Sequence, residues 1–161
     1  MVTQENILYS RSAAFRILQA RLAKWGKLAC ILKLFRMPNG VFNAVYSIRF
    51  GDRLFVWACF LSLKVFKVHF AERRKEEGQK MIVTPWKKEE GFYSVLGSKG
   101  NVYHVATTGS HLICNCEDYK NQQQFLKGRR CCKHGYGVLF HLGFNSLQDY
   151  IDSGGDPSLQ F

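Results

Sequence analysis

The sequence predicts an α+β protein: an N-terminal helix and a β-hairpin, then an antiparallel β-meander with short helices around it. Three observations carry that reading. Apolar residues recur at helical spacing near the amino end, short β-rich runs separated by turn residues follow, and cysteine and histidine fall in two close pairs near the carboxyl end. The 161 residues suit one domain, or a small module with an extension. With 47% hydrophobic and 14% aromatic residues, the chain has enough apolar matter for a core, which argues against extensive disorder.

Phe15, Leu18, Leu22, Trp25, Ala29 and Leu32 recur at spacings of three and four, which predicts helix from the start to about residue 38. Arg16 and Lys27 fall on the opposite side, Gly26 is a weak point, and Met37-Pro38-Asn39-Gly40 is a stop and turn. A basic helix face could meet a polyanion, but a solvated face over a packed stripe is the plainer reading. In VFNAVYSIRFGDRLFVWACFLSL, residues 41–63, two β-rich runs flank Gly51-Asp52 and predict a hairpin, although the second run also suits a buried helix. Its uncharged part, Leu54 to Leu63, is half the roughly 20 residues a membrane-spanning helix needs, so buried core is expected there and no membrane span. KVFKVHFAERRKEEGQK has helix formers and nearly balanced charge, which suits a solvated helix or connector and makes a poor nucleic-acid clamp.

From Met81 the runs MIVT, FYSVLG, NVYHVA and HLICN predict the strands of the meander. Gly91, Ser98-Lys99-Gly100-Asn101 and Thr108-Gly109-Ser110 separate them. EDYKNQQQFLKGRR is helix-compatible up to Gly128, and CCKHGYGVLFHLGF reads as a helix carrying Val138, Leu139 and Leu142. Asn145 and Ser146 can cap a last helix, LQDYID, before Gly154-Gly155. The expected organisation is an N-terminal α/β extension over 1–80, a compact module over 81–153 and a tail over 154–161.

Six cysteines occur, and an even count could mean disulfides in a secreted chain. The amino end carries charges where a signal peptide needs an apolar run, so reduced thiols and an intracellular setting, cytoplasmic or nucleoid or nuclear, are expected. Cys30 and Cys59 sit in apolar runs and read as small core residues. The others cluster: Cys114-Asn115-Cys116, fifteen residues, then Cys132-Lys133-His134. Three thiolates and one imidazole suit one Zn²⁺, a borderline-soft ion that takes tetrahedral sulfur and nitrogen donors. Cysteines one residue apart on a strand end share a face. A second pair at a helix start can turn toward the same point, and the segment between can loop out at little closure cost. Cys131 precedes Cys132 and is a neighbour or reserve donor, while His104, His111 and His141 are expected to be packed or solvent-facing.

This C-x-C, spacer, C-x-H pattern resembles the SWIM zinc finger over about 35 residues, with the preceding hairpin and following helix as expected context; no resemblance covers the first 80 residues. The resemblance implies a β-hairpin-plus-helix zinc module of the kind found in proteins that act with DNA or with other proteins. It makes Cys114, Cys116, Cys132 and His134 the ligands.

Four protein ligands close a structural zinc site, whereas a catalytic one keeps a place for water, so no enzyme and no small-molecule substrate are expected. Neither the zinc-deaminase pattern, a P-loop, a dinucleotide fingerprint nor G-x-S-x-G occurs. Glu117 and Asp118 read as acids favoured at a helix start. The 23 basic against 12 acidic residues give a formal charge of +11, a field that favours polyanions. Lys120, Lys127, Arg129, Arg130 and Lys133 lie around the pairs, interleaved with Tyr119, Phe125 and Tyr136. This points to DNA or RNA held by phosphate contacts and base stacking. The alternative is a protein partner anchored by Trp86, Phe92 or Phe144.

Overall fold

The structure, a computed structural model, describes residues 7–25, 27–124, 126 and 129–156. The architecture is α+β, with two antiparallel sheets and several helices. The chain forms two compact units, Met1–Phe70 and Ala71–Phe161. The first holds α1 (Arg11–Leu22), β1 (Lys27–Arg36), β2 (Phe42–Phe50) and β3 (Arg53–Leu61). Next comes α2 (Leu63–Gly78), within which the unit boundary falls, ten residues before the division expected at 80. The second unit continues with β4 (Ile82–Pro85), β5 (Phe92–Leu96), β6 (Val102–Thr108) and β7 (His111–Cys114), then α3 (Glu117–Gln122), α4 (Lys133–His141) and α5 (Leu147–Asp152).

In the first unit, Ser10 caps α1 by accepting a 3.1 Å hydrogen bond from the Ala13 amide, satisfying one of the helix's orphan donors. The helix buries Ala13, Ala14, Ile17 and Leu18 in a core that also holds Leu28, Phe42, Ala44, Tyr46, Ile48, Leu61 and Phe66. Tyr9, Phe42 and Phe66 meet there with ring centroids 5.0–5.5 Å apart. The strands are ordered β1-β2-β3, and the hairpin expected at Gly51-Asp52 forms between β2 and β3, with Gly51 at φ +57°, a left-handed turn conformation glycine adopts freely.

Three expectations fail in this unit. Residues 27–36 are a strand, not the continuation of the helix. The register of β1 on β2 shifts between Leu28 and Cys30 and again between Ile31 and Lys33, so Ala29 and Leu32 are bulge residues. Each bulge adds one residue to the period-2 repeat, so the inward side chains become Leu28, Ile31 and Leu34. Their spacing of three imitates a helix. The apolar run from Leu54 is not core either: Leu54, Phe55, Val56, Trp57 and Phe60 are between 42% and 66% exposed, on a strand that forms one edge of the sheet. Cys30 is exposed, its Sγ 3.2 Å from Ser47 Oγ, and Cys59 is half-buried.

The second unit holds the expected meander, a four-stranded antiparallel sheet in the order β4-β5-β6-β7. Its core joins Tyr93, Val95, Val105 and Leu112 from the sheet to Tyr119, Tyr136, Val138, Leu139, Phe144 and Tyr150. Ser146 caps α5 through a 3.1 Å bond from the Asp149 amide, and Tyr150 donates its hydroxyl to the Gly109 carbonyl, closing the last helix onto the β6–β7 turn. Phe144 is fully buried against Tyr150 and so is no docking anchor, contrary to expectation. Gly78 lets the end of α2 approach α4: a Cβ there would lie 2.7 Å from Tyr136 Cβ and 2.9 Å from the Lys133 carbonyl. Among the described residues, no helix is long and apolar enough to cross a membrane.

Candidate metal centre

Four donor atoms converge in the second unit. The sulfurs of Cys114, Cys116 and Cys132 and a ring nitrogen of His134 all lie within 4.8 Å of one another, and all four residues are buried. Cys114 ends β7. Cys116 is the N-cap of α3, where its sulfur accepts from the Tyr119 amide at 3.4 Å. Cys132 is the N-cap of α4, accepting from the Gly135 amide at 3.4 Å, and His134 sits in that helix's first turn. A sulfur at an N-cap meets the orphan N–H groups and the positive end of the helix, which favours the thiolate a metal requires.

The nitrogen facing the thiols is Nδ1, 3.9 Å from both Cys114 Sγ and Cys132 Sγ. Around a tetrahedral ion with metal–sulfur bonds of about 2.3 Å and metal–nitrogen bonds of about 2.0–2.1 Å, the sulfur–nitrogen edge is about 3.6 Å. These two edges therefore need to close by only a few tenths of an ångström, and the four donors, all within 4.8 Å of one another, could hold a metal ion. Their acid–base state fits the same conclusion. Cys114 is pushed up to about 12, first because it donates its S–H to Cys116. Cys132 is raised too, by donating to its two neighbours and by burial, while Cys116 is lowered by receiving those bonds. One thiolate forms readily, and a cation is needed to bring three together.

The supporting residues were mostly invisible in the sequence. Tyr103 lies flat on His134, centroids 4.0 Å apart and planes 19° from parallel. Asn115, the residue between the first two ligands, locks onto His104: its amide donates to the His104 carbonyl at 3.2 Å and its Oδ1 accepts from the His104 amide at 3.1 Å. Gln122, wholly buried, joins α3 to the second ligand pair. Its Oε1 accepts from the Cys131 amide at 3.1 Å, and its Nε2 donates to the Cys131 carbonyl and to Asp118. Asp118 is no mere solvated helix start, because Arg74 clasps it through two bonds of 3.0 and 2.6 Å. Tyr119 donates its hydroxyl to the Leu112 carbonyl.

Cys131 is buried but stays outside the cluster, its thiol turned toward the Cys132 carbonyl at 3.6 Å and pushed well above its ordinary value by burial. His104, His111 and His141 also stand apart: His104 lies at the edge of Trp86, His111 beside Ser110 and His141 against Tyr93.

The five basic residues expected to meet nucleic acid are not equivalent. Lys120 and Arg129 are exposed. Arg130 lies over the Tyr119 ring, 4.7 Å from its centroid, and Lys133 pairs with Glu77 at 3.6 Å. Lys127 and Phe125 lie outside the described residues. Tyr119 and Tyr136 are core residues, so they are not free to stack on bases as expected. Nor is the charge concentrated here. Residues 1–70 carry eleven basic and two acidic residues, a net +9, and residues 71–161 carry twelve and ten, a net +2. No family model matches the chain, and neither a curated protein nor a solved structure matches it.

Proposed function

We propose that the chain is a zinc-stabilised recognition protein of the SWIM type that contacts DNA or RNA, with Lys120, Lys127, Arg129, Arg130 and Lys133 forming a basic loop beside a single structural Zn²⁺. The observation that carries this is the closed set of buried donors, Cys114, Cys116, Cys132 and His134. Three thiols and an imidazole suit zinc over harder cations, and four protein ligands leave no position for a catalytic water. The ion serves as a rigid scaffold, and the chain is a binder rather than an enzyme. Reduced thiols of this kind suit an intracellular setting.

The +9 of residues 1–70 supplies most of the long-range attraction for a polyanion, and Lys120 and Arg129 are the loop's exposed contacts. Fluorescence anisotropy with single- and double-stranded oligonucleotides across a salt series tests this. Binding should weaken steeply with salt, and Arg129→Ala with Arg130→Ala should lower the slope by about 0.7–0.9 per lost phosphate contact, with zinc retained. Unchanged binding at low salt would remove the loop from the interface. A protein partner is the second reading, favoured by Trp86, which is 41% exposed on the four-stranded sheet beside Phe92. An interface built on that aromatic pair would respond little to salt.

A further inference from the structure

The two edges of the three-stranded sheet differ in a way that points to a use. An open strand edge exposes a row of unpaired backbone donors and acceptors, and proteins guard such edges with lysine, bulges or proline. The β1 edge is guarded: it carries Lys27, Lys33 and Arg36 and two bulges. The β3 edge has no bulge and no lysine, and its one charged residue, Arg53, stands at its first position. From Leu54 to Leu61 it bears no charge and no proline, and its nine residues run in unbroken register with β2. Val56 is 65%, Trp57 55% and Phe60 66% exposed. No described strand pairs with its outer side.

We propose that β3 pairs edge to edge with β3 of a second copy of this chain, antiparallel about a two-fold axis at Trp57, making one six-stranded sheet. The axis position follows from the exposed run, whose midpoint between Leu54 and Phe60 is residue 57. In that register Leu54 faces Phe60, Val56 faces Ala58 and Trp57 faces itself. Every facing pair from Leu54 to Phe60 is uncharged, and no charge meets charge. Leu54, Val56, Ala58 and Phe60 share one face of the strand, so the pairing joins two apolar strips into one.

The three basic residues of β1 do not oppose this arrangement. With strands about 4.8 Å apart, the two β1 edges lie about 24 Å from each other across the dimer, well beyond the screening length of about 8 Å at physiological salt. The five exposed apolar side chains offer roughly 500 Å² per copy. A stable interface uses about 800 Å² per partner, and the paired backbone adds to the side chains.

Sedimentation velocity of the full chain, from about one to about a hundred micromolar, tests the pairing. Wild type should pass from monomer to dimer over that range, and Val56→Lys, which places a gatekeeper charge on a solvent-facing position, should raise the midpoint at least about tenfold with an unchanged circular dichroism spectrum. Trp57→Cys gives an independent readout. With oxidised glutathione as the electron acceptor, the two introduced thiols should join as a disulfide between copies, identified as a 57–57 linked peptide, while Leu54→Cys should give no 54–54 link. A wild-type monomer throughout overturns the proposal. So does a dimer that survives Val56→Lys without the 57–57 link, or a monomer that instead co-sediments with anionic vesicles, which would assign the strip to a lipid surface.

Discussion

Replacing Gln122 by leucine isolates the connection between the two ligand pairs without touching a ligand. The side chain is completely buried, so leucine fits by volume but makes no hydrogen bond. The 3.1 Å bond to the Cys131 amide is lost, along with the weaker bonds to the Cys131 carbonyl and Asp118, which keeps Arg74. Losing the good bond removes about 1 kcal/mol, and leaving the buried Cys131 N–H unpaired costs about 1–3 kcal/mol, for a total of about 3 kcal/mol. For a unit of this size that lowers the melting temperature by roughly 12–24 °C. Since metal binding and folding are coupled at such sites, the same penalty weakens metal binding about a hundredfold in competition with a chromogenic chelator. The neighbouring Gln123 is exposed, so Gln123→Leu should change neither quantity. A Gln122→Leu protein within about threefold of wild-type affinity, melting within a few degrees of it, would refute the positioning role of this side chain.

Further outcomes follow from the same geometry. Cys132→Ala should abolish metal binding, whereas Cys131→Ala should keep one metal per chain by mass spectrometry and lose about 1 kcal/mol for a small cavity. Gly78→Ala forces α4 away from the end of α2, because the nearest atoms include backbone, and should destabilise the second unit by about 1–3 kcal/mol in denaturant melts. Binding must displace protons from Cys114 and Cys132, so metal affinity, followed by chelator competition, should fall about a hundredfold for each pH unit of acidification. In the metal-free chain the sign reverses. The raised Cys114 thiol contributes stability that is complete below its unfolded value of 9.0 and is lost as pH climbs toward about 12, which alkaline denaturation would register.

The sequence showed most plainly those features whose physical cause is local. The turn at Gly51-Asp52, the cap at Ser146 and the alternating runs of β4 to β7 each follow from a few neighbouring residues, and each is present. The four converging donors were legible because metal chemistry limits which residue types can serve. What was hidden depended on partners distant along the chain. The bulges at Ala29 and Leu32 exist because β1 fits against β2, and they hid a strand beneath a helical period. The apolar run of β3 gave no sign that it would be an edge, and hydrophobicity alone does not say which side chains find a neighbour. Gln122 and Tyr103 reveal their roles only once residues nine and thirty-one positions away are brought beside them.

The parallel packing of Tyr103 on His134 also gives the centre an internal reporter. Protons of the imidazole sit above an aromatic ring at 4.0 Å and should resonate upfield of ordinary histidine signals. A metal ion added to the chain should draw Nδ1 toward the three sulfurs and re-seat the imidazole on the phenol, shifting those signals and the tyrosine emission. Occupancy can then be followed by NMR or intrinsic tyrosine emission, with no label attached.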